Sequence, residues 1–227
     1  MRAKMGAHPA TPAIVRGAFI TLEGGEGSGK STQSRLLCSA LAERGVAVVQ
    51  TREPGGSPEA EAIRTLLVEG ATDRWDPMSE ALLLFAARRD HLRRTIEPAL
   101  AAGSWVVCDR FGDSTVAYQG YAHGLGPETV AALGEIAIGR VRPDLTFILD
   151  LPVDIGLARA KTREAGREDR FERMGHSFHE RLRDGFREIA RQEPERCKVI
   201  DATRSIEAIH AAIVGAVEAR WPRMASA

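Results

Sequence analysis

The chain has 227 residues, 44% hydrophobic and 27% charged, enough for one large domain with a substantial core. Its 31 basic residues balance 31 acidic ones, so no long-range field favours nucleic acid or an anionic membrane, and any anion site has to come from local clustering. No apolar run approaches a membrane span, and Cys38, Cys108 and Cys197 stand far apart without a C-x-x-C pair, which reads as small core residues in a reducing, cytoplasmic compartment.

Residues 1–17 carry Arg2, Lys4, Pro9 and Pro12 but no apolar stretch of signal-peptide length. They read as a flexible extension ahead of a single domain over 18–227. Ala18 to Leu22 then predicts a buried strand. It runs into Gly24-Gly25-Glu26-Gly27-Ser28-Gly29-Lys30-Ser31, which matches G-x-x-x-x-G-K-[ST] and is followed by Thr32 and a helical pattern. Glycines let such a loop turn tightly and aim successive N–H groups inward as an anion nest. The helix adds its positive end. Lys30 supplies charge for the outer phosphates, and the Ser31 hydroxyl is suited to Mg²⁺. The motif says nucleotide phosphate; it does not say which reaction.

Leu36, Leu37, Ala40 and Leu41 recur at helical spacing up to Gly45. Val46 to Val49 predicts a strand buried on both faces. After Thr51-Arg52-Glu53-Pro54-Gly55-Gly56, Ser57 and Pro58 predict an N-cap and first turn. Ser79 to about Glu97 is the longest helical pattern. Its apolar side carries Leu82, Leu83, Phe85 and Ala86, and Arg88, Arg89, Arg93 and Arg94 crowd the other side, with Pro98 ending or restarting it. Trp105 to Cys108 predicts a strand ending at Asp109-Arg110. A helix from Pro127 and a strand from Leu145 to Leu149, ending at Asp150, follow. From Arg159 to about residue 174 the chain is rich in arginine and poor in core residues, as in a closing lid. Ser177 to Glu180 predicts a capping box, Val199-Ile200 a last strand, and Ser205 a closing helix.

Alternating strands and helices with near-continuous apolar strands mean a doubly covered parallel sheet, an α/β fold. Ligands in such sheets bind beyond the C-terminal strand ends. Lys30, Arg52-Glu53, Asp109-Arg110 and Asp150 all fall there. Asp109 is the first choice for the metal's carboxylate and Asp150 the fallback. His91, His123, His176 and His179 show no metal spacing. The constellation points to a Mg²⁺-dependent, NTP-using phosphotransferase with an anionic acceptor.

The segments Glu23 to Thr32, Thr51 to Gly56, Leu84-Phe85-Ala86-Ala87-Arg88, Asp109-Arg110, Asp113 to Tyr121 and Arg142-Pro143-Asp144-Leu145 resemble, in order and spacing, those of the bacterial thymidylate kinases, over about residues 17–220. The resemblance implies the P-loop nucleoside-monophosphate-kinase fold with a five-stranded parallel sheet. It implies ATP-dependent phosphorylation of dTMP to dTDP, and a homodimer. By matching position, Phe85 would stack on the thymine, Arg88 (or Arg89) would bond its edge, and Thr115 and Gln119 would touch the base, with Ser114 also among the acceptor's contacts. Tyr118 would crowd the sugar C2′ side and Glu26 would approach its 3′ hydroxyl. Arg52, Arg64 and Arg110 would orient the acceptor phosphate, with Glu53 ordering that pocket. With Gly27 and Ser28 in the loop, the family's catalytic arginine has to come from the lid: Arg163 aligns best, Arg167 and Arg159 being alternatives. Phe111 stands where Tyr or His is frequent. The rival readings are another nucleotide kinase and an NTP-driven switch; no basic stripe with interleaved aromatics supports the latter.

Overall fold

The computed structural model describes residues 16–163 and 170–222. Five strands form one parallel sheet in the order β2-β3-β1-β4-β5: β1 Phe19–Glu23, β2 Val48–Arg52, β3 Trp105–Asp109, β4 Leu145–Asp150 and β5 Cys197–Asp201. The first is central and buried at every residue. Its Ile20 and Leu22 face one side, against Leu37 and Leu41 of helix α1 (Lys30–Glu43) and Ile209, Ile213 and Val217 of α9 (Ile206–Arg220). Phe19 faces the other side with Leu92, Ile96 and Leu100. Between them Thr21 is buried because its hydroxyl bonds that of Thr146 in β4 at 2.7 Å. Emptying such a position, as in Leu37→Ala, costs about 2–5 kcal/mol.

The remaining elements are α2 Pro58–Val68, α3 Pro77–His91, α4 Glu97–Ala101, α5 Gly112–Thr115, α6 Pro127–Ile138, α7 Val153–Arg163 and α8 His176–Gln192. Two π-helical stretches, Leu92–Ile96 and Val116–Ala122, continue α3 and α5. The first carries the chain through to α4, so Pro98 sits in the opening turn of a restarted helix, where its missing N–H leaves no orphaned acceptor of consequence.

Several local expectations need correction. The second strand runs 48–52 rather than 46–49, and as an edge strand it is half-buried, its register with β3 running from Val48↔Trp105 to Arg52↔Asp109. Ser57 does flank α2, but its hydroxyl donates to Asp90 at 2.7 Å instead of capping. The cap of α8 is Gly175, and Ser177 lies inside the helix. Arg88 does not share the solvent face of Arg89 and Arg93; it is buried. Most of the N-terminal extension and residues 164–169 of the lid lie outside the described residues. Arg16 and Gly17 are docked, the first on Asp144 at 2.9 Å and the second through its N–H on the Leu100 carbonyl at 3.0 Å.

Candidate active site

Glu23, Arg52, Asp109 and Asp150 end four of the five parallel strands, and a cavity of about 290 Å³ is lined by Arg52 and Asp109. On its floor the loop from Gly24 to Gly29 leads into α1, so backbone N–H groups and the positive helix end meet the cavity. The loop is held from behind by α7. A Cβ on Gly27, whose φ is 65°, would lie 2.0 Å from the Gly156 carbonyl, and one on Gly156 would lie 2.5 Å from the Glu26 carbonyl.

Lys30 folds back on this loop. Its ammonium donates to the carbonyls of Gly24 (3.1 Å) and Gly25 (2.8 Å) and to the Ser28 hydroxyl (3.2 Å). Burial, with the nearby Arg110 charge, pushes its pKa down to about 8 against the pull of Glu26, Asp109 and Glu23. Arg110 reaches across the cavity from a left-handed backbone, φ 69°, rare for a residue with a side chain. Its guanidinium donates to Glu26 at 2.9 Å and the Gly24 carbonyl at 3.0 Å, and lies 5.0 Å over the Tyr118 ring, whose hydroxyl donates to Glu26. Burial alone would raise the Glu26 carboxyl; Arg110, Lys30 and Tyr118 outweigh it and hold it at about 2. Buried Glu23 fastens the turn below, accepting from the Phe111 N–H at 2.8 Å and the Ser114 hydroxyl at 2.6 Å. Burial, aided by Asp113, pushes Glu23 up to about 8.

Ser31 donates to Asp109 at 2.5 Å, bringing a hydroxyl and a carboxylate together at the mouth of the loop. Asp150, the fallback carboxylate, does not join them. It is ion-paired with Arg183 at 2.7 Å and Arg187 at 2.8 Å, and these arginines hold its carboxyl low against the effect of burial. The expectation of a metal role there is corrected accordingly.

At the far end of the cavity, Arg88 donates to Glu53 at 2.6 Å, to the Phe111 carbonyl at 3.0 Å and to the Thr115 hydroxyl at 2.9 Å. Its Nη1 is buried without a hydrogen-bond partner. The other oxygen of Glu53 meets His91 Nδ1 at 3.0 Å, and His91 Nε2 meets the Thr51 hydroxyl at 2.7 Å. Gln119 donates its amide to Glu80 at 2.6 Å, while its own Oε1 is buried without a partner. Arg52 pairs with Glu61 at 3.0 Å and Arg64 donates to the Pro54 carbonyl at 2.8 Å, both on the cavity wall.

Phe85 is a correction. Its ring lies under the Arg88 guanidinium at 5.2 Å and against Gly134, and it lines a separate cavity of about 140 Å³ rather than this one. Leu84 takes the wall position instead. One helical face explains this: Glu80, Leu84 and Arg88 are spaced by four residues and point the same way. Phe111 is buried edge-on to Phe19 at 4.9 Å and leaves only its carbonyl to the site. Arg159 donates to the Ala202 carbonyl at 2.8 Å and is not on the cavity wall; Arg167 and the side chain of Arg163 lie outside the described residues. Glu80, Leu84, His91 and Arg170 also turn inward, with no such role assigned to them from the sequence. Glu80 and Leu84 stand eight and four residues before Arg88 and His91 three after it, the spacing of one helical face.

The family model described as thymidylate kinase matches residues 22–213. A thymidylate kinase of Caulobacter vibrioides is 56% identical over 91% of this chain and 99% of its own length. One from Rhizorhabdus wittichii is 53% identical over 88% and 97%. The crystal structure of thymidylate kinase from Ehrlichia chaffeensis superimposes with a TM-score of 0.72 at 39% identity, covering 89% of this chain and 99% of that one. Loop, strand ends and cavity therefore sit in a sheet whose sequence and shape agree: the chain belongs to the thymidylate kinase family.

Proposed function

We infer that the chain transfers the γ-phosphoryl group of ATP to dTMP, giving ADP and dTDP. One observation carries the choice of acceptor. Two residues of the cavity's far wall each keep a buried polar atom without a partner, the donor Arg88 Nη1 and the acceptor Gln119 Oε1. Buried polar atoms are costly unless they are satisfied. A thymine edge supplies the matching pair, a carbonyl acceptor at O4 and a donor at N3–H. Leu84 is then the apolar wall against the ring. Thr115 is held by Arg88, and Tyr118 and Glu26 stand beside the sugar. Neither rival is favoured by the family match.

In this reading the loop N–H groups and Lys30 bind the ATP phosphates, and Lys30 exchanges its loop carbonyls for phosphate oxygens. Arg110, with Arg52 and Arg64, orients the acceptor phosphate in line. The oxygens of Ser31 and Asp109 would hold Mg²⁺, being hard donors of the kind that ion prefers. When bound, the ion neutralises charge on the phosphates. A lid arginine, Arg163 first and Arg167 second, adds charge over the transferring group. Residues 18–227 act as one kinase domain with 1–17 as an appendage. Leu82 on α3 and Ile136 on α6, packed helices whose outer faces expose these two side chains, are the seam of a homodimer. The free, buried cysteines, and the lack among the described residues of a helix able to cross a membrane, suit a cytoplasmic protein.

The test is ADP release from ATP and Mg²⁺ with dTMP, dUMP, UMP, dCMP, AMP and buffer alone. Selective turnover with dTMP supports the reading. Release that ignores the monophosphate sinks it.

A further inference from the structure

Gln119 can read an imide N–H only if its amide carbonyl faces the cavity, and its own side chain has no preference between the two orientations. We propose that Glu80, held by Arg170, is the positioning residue that fixes this orientation and so sets the preference for a base carrying a ring N–H over one carrying a ring acceptor. The proposal rests on the dTMP reading and adds residues that do not touch the base.

Glu80 and Arg170 are 1% and 0% exposed, and Gln119 is 0% exposed, so the three are held by one another rather than by bulk water. Glu80 Oε1 accepts from Gln119 Nε2 at 2.6 Å, and its Oε2 accepts from Arg170. A flipped Gln119 would set its carbonyl oxygen against the carboxylate, acceptor on acceptor, in a dry site. Arg170 itself cannot turn away. Its Nε donates to the Leu67 carbonyl at 2.9 Å, its Nη1 to the Thr72 carbonyl at 3.0 Å, and its backbone N–H to the Val68 carbonyl at 3.0 Å. His123 Nε2 lies 3.5 Å from Glu80 Oε1 without a hydrogen bond, leaving that oxygen to Gln119. The chain of constraint is therefore directional: fixed guanidinium, carboxylate, amide N–H, and a carbonyl left over for the ligand.

The isostere Glu80→Gln reverses the last step. Arg170 has only donors, so it takes the new carbonyl and leaves the new NH₂ facing Gln119. Gln119 then turns its carbonyl to residue 80 and its NH₂ to the cavity. That suits the N3 acceptor of cytosine and opposes the N3–H of thymine and uracil.

The experiment compares kcat/KM for dTMP, dUMP and dCMP in the full-length protein and in Glu80→Gln, with ATP and Mg²⁺. The dTMP:dCMP ratio is expected to fall about tenfold or more, while dTMP:dUMP, which share the imide, stays within about twofold. General damage lowers all three together and leaves both ratios in place; an unchanged dTMP:dCMP ratio overturns the proposal. Lack of dTMP turnover by the unaltered protein would instead remove the acceptor reading itself. Where Glu80→Gln does not fold by circular dichroism, the double variant Glu80→Met/Arg170→Met removes both charges at once. It frees the Gln119 amide, and a severalfold fall in dTMP:dCMP is expected; an unchanged ratio again overturns the proposal.

Discussion

The two ends of the cavity handle polarity in opposite ways. At the phosphate end the charged groups are satisfied by one another and by the loop: Lys30 has three oxygen partners, and Glu26 accepts from both Arg110 and Tyr118. At the base end Arg88 and Gln119 are each fixed by buried partners yet keep one polar atom unanswered. A polyanion can reorganise the first end, since flexible charges exchange one oxygen partner for another. The second end has no such freedom, and on the proposed reading that rigidity is what would let it discriminate. On that reading, strength and selectivity of binding would be drawn from different architecture within one cavity.

The largest effect expected is from Lys30→Ala. Turnover should fall on the order of 10²–10³-fold while the thermal midpoint barely moves, because no buried charge is left unpaired; near-normal kcat with dTMP would break the contrast. Arg88→Met should show the opposite signature. It strands Glu53 beside His91, so a loss of about 3–5 kcal/mol in urea unfolding should accompany the drop in kcat/KM for dTMP. A third expectation concerns pH. Lys30, depressed to about 8, is charged below that value and neutral above it. ATP affinity measured by calorimetry should weaken as pH rises through about 8, by up to about tenfold per unit, and Lys30→Ala should flatten that slope. Smallest is a pair of apolar changes. Leu84→Ala should raise the dTMP KM several-fold, roughly the cost of an apolar contact, whereas Phe85→Leu should leave it within about twofold. A larger effect from Phe85 than from Leu84 would return the stacking role to the aromatic ring.

Much of the phosphate end was legible because its signal is local. Eight consecutive residues state the loop, and the continuous apolar run from Trp105 to Cys108 places the strand end that carries Asp109. The base end was legible only in part. Arg88 and Gln119 stand out through resemblance, but a run of four arginines does not say which one turns inward, and Phe85 draws attention that belongs to its neighbour. Burial of Glu80 and Arg170 depends on each finding the other across 90 residues, and charge patterning along the chain carries no trace of such a pairing. The edge strand β2 was misjudged for a related reason: Val48 and Val49 are as apolar as a central strand, and only pairing on one side makes them peripheral.

The contact between Gly27 and Gly156 also bears on how this chain can change. Two backbones touch where the loop meets the helix that leads into the lid, with no room for even a methyl group on either side. A long cationic side chain at position 27 would have to wedge that helix away from the loop that it steadies. Substitution of Gly27 therefore meets a steric wall in the backbone of Gly156. A side chain at position 27 would require the start of α7 to repack first, so the space at this junction sets which changes the loop can accept on its own.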